Sequence, residues 1–275
     1  MSENVKDILV LSGGGIKGIC HLGGLVALEE KGILKNIKTF AGSSIGAVIS
    51  LLIVIGYKPS DLFDFILLFD LKKFRSKKIL LFEKFGIDDG SNFIIVINQL
   101  LKNKEINKCI TFEELFTKTK LKLIITACCV NEKKNYYFSH NNYPKLSIIT
   151  AIRMSIAVPI FFTPVTFEDK IFVDGSCIDN YPISLFQDNL DHVIGIYLSN
   201  DNQCIKNIDN FEELIINIIQ CLFIGINNNT TKNYEKFTVN IQTPCINFLD
   251  TSINTTKKFE LFKSGYDCVK KYLSS

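Results

Sequence analysis

Gly42-Ser43-Ser44-Ile45-Gly46 puts serine on a turn between glycines, directly after the strand-like run Ile37-Lys38-Thr39-Phe40-Ala41. Strand, sharp turn and apolar helix is the setting of a nucleophile elbow. Gly42 and Gly46 let the backbone turn without Cβ clashes and present the hydroxyl of Ser44. One strand earlier, Gly13-Gly14-Gly15-Ile16-Lys17-Gly18 follows Ile8-Leu9-Val10-Leu11. That loop offers a row of backbone N–H groups at a helix start, where negative charge is stabilised. A serine nucleophile with an anion-binding loop one strand away is equipment for acyl transfer. The plainer readings are an N-cap serine and glycines that merely let the first helix pack. They leave the paired glycines and the run of three unexplained.

A serine hydroxyl needs a base. The chain offers His21 in the first helix, His140 in a polar turn and His192 at the start of a strand. Each reads more readily as a structural or surface histidine. Ser44, Asp174 and His192 would nominally follow the serine, acid, histidine order of α/β-hydrolases. Ser44, however, comes after only one earlier strand, where that fold has several. Gly13–Gly18 also fits G-x-G-x-x-G, but a dinucleotide site wants an acid at the end of the next strand. That strand ends in Ala41-Gly42-Ser43-Ser44. A phosphate loop needs Gly-Lys-Ser/Thr, and Lys17 is followed by Gly18.

Composition sets the frame. With 275 residues, 47% hydrophobic and 21% charged, the chain suits one large α/β domain over residues 1–275. A net charge of +3 with scattered lysines gives no nucleic-acid footprint. The densest basic stretch is Lys72-Lys73-Phe74-Arg75-Ser76-Lys77-Lys78. It reads first as a solvated helix end and loop, and second as a patch for anionic headgroups in peripheral contact with a membrane. Nine cysteines form no spaced framework and no C-x-x-C pair. Reduced thiols in a reducing compartment, not a disulfide scaffold or zinc site, are therefore expected. No metal and no cofactor are expected either. Met1 to Asp7 shows no signal peptide, and the apolar run Ile45 to Ile55 falls short of the ~20 residues of a membrane span. The expected location is the cytoplasm. Nothing in the sequence fixes the oligomeric state.

Apolar periodicity and caps predict strands at 8–12, 37–41, 121–130, 135–139, 170–173, 192–199 and near 237–241. Helices are predicted at 15–31, 45–55, 60–74 (capped by Ser60 or Asp61), 92–102 (capped by Ser91) and 147–156. Others lie after the capping box Thr111-Phe112-Glu113-Glu114, near 210–224 and near 257–273. Strands alternating with helices point to a three-layer α/β/α domain with a mostly parallel central sheet. Sites in such sheets form at the carboxyl ends of the strands, where both glycine signals lie.

Two further blocks complete a pattern: Ala151-Ile152-Arg153-Met154-Ser155-Ile156-Ala157-Val158-Pro159-Ile160-Phe161-Phe162 and Val173-Asp174-Gly175. In order and spacing, across roughly residues 6–200, the four blocks resemble the patatin-like phospholipases. These are lipid acyl hydrolases with a Ser–Asp dyad and no catalytic histidine. The resemblance implies Ser44 as nucleophile, Asp174 as base and Gly13, Gly14 and Gly15 as the oxyanion hole, with Gly18, Gly42, Gly46 and Gly175 as motif glycines. It implies a lipid substrate and a metal-independent reaction. A lipid acyltransferase using the same dyad and a non-catalytic lipid-binding protein are the alternatives. Two positions depart from the family pattern: Ser12 stands where Asp is common, and Ser176 follows Asp174-Gly175 where Gly or Ala is common.

Overall fold

Side-chain alternation sorts the first strands onto two faces of one sheet. Leu9, Leu11, Phe40, Leu123 and Ile125 join the larger apolar cluster, while Val10, Ala41 and Ile124 join a smaller one behind them. The structure is a computed structural model that describes residues 5–74, 84–200, 208–209, 211–227, 231–244, 246 and 250–274. Its strands are β1 (Ile8–Leu11), β2 (Thr39–Ser43), β3 (Gly86–Asp88), β4 (Lys122–Cys129), β5 (Lys134–Phe138), β6 (Ile160–Phe162), β7 (Val165–Phe167), β8 (Lys170–Asp174), β9 (Val193–Asn200) and β10 (Thr238–Thr243). Its helices are α1 (Ile19–Glu30), α2 (Ile45–Val54), α3 (Pro59–Leu68), α4 (Ser91–Asn103), α5 (Phe112–Thr119), α6 (Ile148–Ser155), α7 (Phe211–Asn227) and α8 (Thr255–Tyr272).

The main sheet runs β10-β9-β1-β2-β4-β8-β7, with β5 also paired to β4. The five strands from β10 to β4 are parallel; β5, β8 and β7 are antiparallel additions. This confirms the α/β class with a mostly parallel sheet. Helices cover the larger cluster. Among them α1 and α8 lie so close that a Cβ on Gly23 would strike the Phe262 carbonyl, and one on Gly265 the Cys20 carbonyl. The other face is closed more thinly, by a 3-10 segment, Pro182–His192, that brings Tyr181 and Ile183 over Val10 and Val193.

The predicted elements recur with boundaries moved by a few residues. The first helix opens with a 3-10 turn, Gly15–Gly18, before α1. The predicted helix 60–74 divides into α3 and a 3-10 turn, Leu71–Phe74, because Phe69 is extended. Its cap is Lys58 with Pro59 at N1, a position where proline loses nothing by lacking an N–H. Gly90, left-handed at φ +69°, caps α4 in place of Ser91. The Thr111–Glu114 capping box forms in both directions. Strands β3, β6 and β7 were not anticipated; at three residues each they are too short to show a period. Arg75 to Phe82, most of the basic stretch and its apolar neighbours, lies outside the described residues.

Candidate active site

The turn after β2 is strained as a nucleophile elbow should be. Ser44 sits at φ 52° and ψ −124°, a region costly for a residue with a side chain. Gly42 permits it, since a Cβ there would lie 2.5 Å from the Gly46 carbonyl carbon. A Cβ on Gly46 would collide with the Leu11 carbonyl of β1. Behind the turn, Ser155 at the end of α6 accepts the Ser44 N–H at 2.9 Å. Ser44 is buried to 8% exposure, at the point where two cavities meet.

Asp174 arrives from the opposite direction. β2 pairs with the first half of β4, ending at Ser43 opposite Thr126. β8 pairs with the second half, ending at Asp174 opposite Ala127. Since β5 occupies the other edge of β4 across Ile125–Cys129, β2 and β8 share one edge and meet end to end. Gly175 fits this junction because a Cβ would meet Ser43 Oγ at 2.9 Å. The backbone N–H of Asp174 donates to Ala157 O at 2.9 Å, and its Oδ1 accepts the Ser176 N–H at 2.8 Å. Asp174 Oδ2 is buried with no partner fixed in hydrogen-bond geometry. Burial pushes this carboxyl up to about 6, while the nearby Ser44 hydroxyl and the Ser176 N–H pull it down.

The glycine loop completes the floor. Gly15 is left-handed at φ +56°, and the loop closes with the Lys17 N–H donating to Gly14 O at 3.1 Å. The Gly13 N–H is committed to Asn180 O at 3.1 Å, whereas among the described residues no backbone carbonyl takes the Gly14 or Gly15 N–H. Gly13, Gly14, Gly15, Ser44 and Asp174 all border one polar cavity of about 230 Å³. Ser12, the first departure from the family pattern, ties the loop to β9. Its hydroxyl donates to Gly13 O at 3.1 Å and accepts the Leu198 N–H at 3.0 Å. Gly18 lets α1 pack on the elbow, since a Cβ would meet Ile45 Cγ1 at 2.6 Å.

The second cavity, of about 180 Å³, is apolar. It runs from Ser44 between α2 and α4, past Val48, Leu52, Ile97 and Phe162. Gly15, Ser44 and Val158 border both cavities.

No histidine joins the site. His21 is buried, lies at the back of the loop with Nε2–H donating to Ser12 O at 2.8 Å, and is driven down to about 4 by burial. His140 stacks on Phe116 with ring centroids 3.8 Å apart. His192 pairs with Asp7 at 3.4 Å, at the amino end of β9, whereas Ser44 and Asp174 lie at carboxyl ends. The nominal serine–aspartate–histidine triad is therefore not assembled.

Sequence reading missed Ser155, Asn180 and the supporting role of Ala157. Ser155 and Ala157 lie in the block Ala151–Phe162, yet their partners are set only by folding. Among the described residues, no helix is long and apolar enough to cross a membrane.

Comparison with known proteins gives the family and the fold. A family model for patatin-like phospholipases matches residues 9–186. The chain is 33% identical over 208 residues to an uncharacterized protein of Acanthamoeba polyphaga mimivirus, covering 74% of this chain and 69% of that one. It is 32% identical over 183 residues to a probable lipid hydrolase of Invertebrate iridescent virus 6, covering 64% of this chain and 62% of the relative. In fold it resembles VipD from Legionella pneumophila, with a TM-score of 0.65 and 18% identity over 98% of this chain and 67% of that one. The type III effector ExoU gives 0.59 and 16% identity over 99% of this chain and 53% of that one. With four motif blocks gathered at one cleft and a family model spanning most of the chain, the protein belongs to the patatin-like phospholipase family.

Proposed function

We propose that the protein is a metal-independent lipid acyl hydrolase in which Ser44 and Asp174 form the catalytic dyad. The observation that carries this reading is the place of Ser44, at the one wall shared by an apolar and a polar cavity, with Asp174 bordering the polar one. An ester with a long acyl chain has that same division at its carbonyl carbon.

In this reading the acyl chain lies in the apolar cavity and the alcohol or headgroup side lies in the polar one. Ser44 Oγ attacks the carbonyl while Asp174 Oδ2 takes the proton. A carboxylate is a weak base for an alkoxide, so proton transfer accompanies attack, and the raised pKa of about 6 narrows the mismatch. The N–H groups of Gly14 and Gly15 hold the oxyanion; one such donor is typically worth about 3–4 kcal/mol. Asp174 returns its proton to the leaving alcohol. It then activates the water that cleaves the acyl-enzyme.

The apolar cavity also offers a measure of chain length. Ile45, Val48 and Leu52 follow one face of α2 away from Ser44. At 1.5 Å rise per residue, Leu52 lies about 12 Å along the axis from the nucleophile. Leu71 and Phe74 border the cavity while Lys72 and Lys73 of the same turn are exposed, an arrangement that suits peripheral contact with a lipid surface.

The test is fatty-acid release from a panel of phospholipid and neutral-lipid esters by wild type and Ser44→Ala. Wild-type release that the variant loses supports the reading. Equal release by both removes it.

A further inference from the structure

The oxyanion loop touches a residue that the family pattern did not single out. Asn180 is 7% exposed and lies on the segment after Asp174, between the 3-10 turn Gly175–Cys177 and Tyr181. Its backbone carbonyl takes the Gly13 N–H at 3.1 Å. Its side-chain Oδ1 accepts the Ser176 hydroxyl at 2.6 Å. Gly13 makes the approach possible. A Cβ there would collide with Asn180 Oδ1 and would stand 2.7 Å from Ser176 Oγ and 3.1 Å from Ser44 Cβ. Three side chains therefore converge on the space this glycine leaves open.

With Oδ1 held by Ser176, the amide NH2 of Asn180 is the free edge of the side chain, and no described residue accepts from it. Asn180 borders the polar cavity together with Gly14, Gly15, Ser44 and Asp174. The Asn180 Nδ2 is not fully enclosed, so this donor stays open to an acceptor that enters the polar cavity. Ser176 fixes both partners of the chemistry, its N–H on Asp174 Oδ1 and its hydroxyl on Asn180 Oδ1.

We propose that Asn180 is a catalytic residue whose side-chain NH2 donates to the oxygen that becomes the oxyanion, as the third donor beside Gly14 and Gly15. It supplies the hydrogen bond that Gly13 cannot give, because the Gly13 N–H is already held by Asn180's own carbonyl. Ser176 is the positioning residue: its hydroxyl sets which edge of the amide faces the substrate. This assignment rests on the hydrolase reading with Ser44 as nucleophile.

The experiment compares wild type with Asn180→Ala, Asn180→Asp, Ser176→Ala and Ser44→Ala. Turnover of a soluble ester is normalised to the Ser44 that a fluorophosphonate probe labels, so unfolded protein is not counted. Asn180→Ala is expected to lower kcat about 100-fold with KM changed less than threefold, the signature of a contact made in the transition state. Asn180→Asp keeps the acceptor for Ser176 and removes the donor, so it should lose at least as much. Ser176→Ala should lose less than either. The labelling rate should fall in the same order, because the phosphonyl oxygen occupies the oxyanion position.

Kcat within threefold of wild type in both Asn180 variants, per labelled site, overturns the proposal. So does a change confined to melting temperature, or a shifted pH profile with an unchanged plateau, since each shows Asn180 acting only on the fold or through Asp174. A Ser44→Ala variant that keeps turnover, or a wild type that is not labelled at Ser44, instead overturns the hydrolase reading, and this assignment falls with it. Intact Ser44 chemistry with indifferent Asn180 variants removes this assignment alone.

Discussion

Ser44 and Asp174 stand at the carboxyl ends of two strands that run toward each other along one edge of β4. Ser43 is opposite Thr126 and Asp174 is opposite Ala127, consecutive positions on the same strand. The meeting of Ser44 and Asp174 is thus set by sheet register. A one-residue slip of β8 would turn Asp174 to the other face of the sheet.

Ser44→Ala is expected to lower ester hydrolysis by at least 10³-fold while leaving the melting temperature within a few degrees. The lost hydroxyl is small, and the strain of the elbow belongs to the backbone. A serine-directed fluorophosphonate should label wild type once, at Ser44, and leave the variant unlabelled. Mass spectrometry of the labelled peptide is the check.

Asp174→Asn should cost about as much activity as Ser44→Ala, because members of a dyad act as a unit. His192→Ala should stay within threefold of wild type, since His192 lies at the opposite end of β9. A His192 variant as inactive as Asp174→Asn would contradict the dyad.

The raised pKa of Asp174 gives two pH signatures. In the proposed mechanism Asp174 must be ionised to act as base, so kcat/KM should rise with pH through about 6 and then level off. Stability runs the other way. Between the unfolded value of ~3.9 and about 6 the folded state holds the extra proton, so stability falls as pH rises through that window. Asp174→Asn should therefore match wild type near pH 4 and exceed it above pH 7, by about 3 kcal/mol at most. Urea denaturation at the two pH values measures the difference.

The loop glycines should not be equivalent. Gly15 has φ +56°, so Gly15→Val forces a β-branched residue into the left-handed region and should cost at least 10²-fold in kcat. Gly14, at φ 166°, lies outside the left-handed region, and the nearest atom to a Cβ there would be Leu198 Cδ1 at 2.8 Å. Gly14→Ala, met by the end of a flexible side chain, should cost several-fold. Equal losses in the two variants would place the constraint outside the backbone.

Leu52→Trp should shorten the preferred acyl chain by blocking the far end of the apolar cavity, with hydrolysis of short-chain esters retained. A p-nitrophenyl ester series shows the shift. An unchanged length profile would put the acyl chain elsewhere.

Lys72→Gln with Lys73→Gln should weaken sedimentation with anionic vesicles, and added salt should shrink the wild-type advantage. Hydrolysis of a soluble ester should be unaffected. Equal vesicle binding by both proteins would remove this turn from any membrane contact.

What the sequence determined by itself was local. Three glycines in a row, glycines flanking Ser44 and the Thr111–Glu114 box each act through backbone sterics or hydrogen bonds within a few residues, so they are legible without a fold. Continuous apolar runs at β1 and β4 likewise marked buried strands and with them the α/β class. The tertiary structure decided what lies beside what. It placed Asp174 next to Ser44 because β8 joined the free half of an edge that β2 had left. It sent His192 to the far end of the sheet because β9 runs parallel to β1, with its start at the opposite pole. It brought Asn180 and Ser155, ordinary polar residues in sequence, against the loop and the elbow. Such partnerships depend on strand order and register, which arise from burying two apolar faces at once and leave no mark on the neighbours of any one residue.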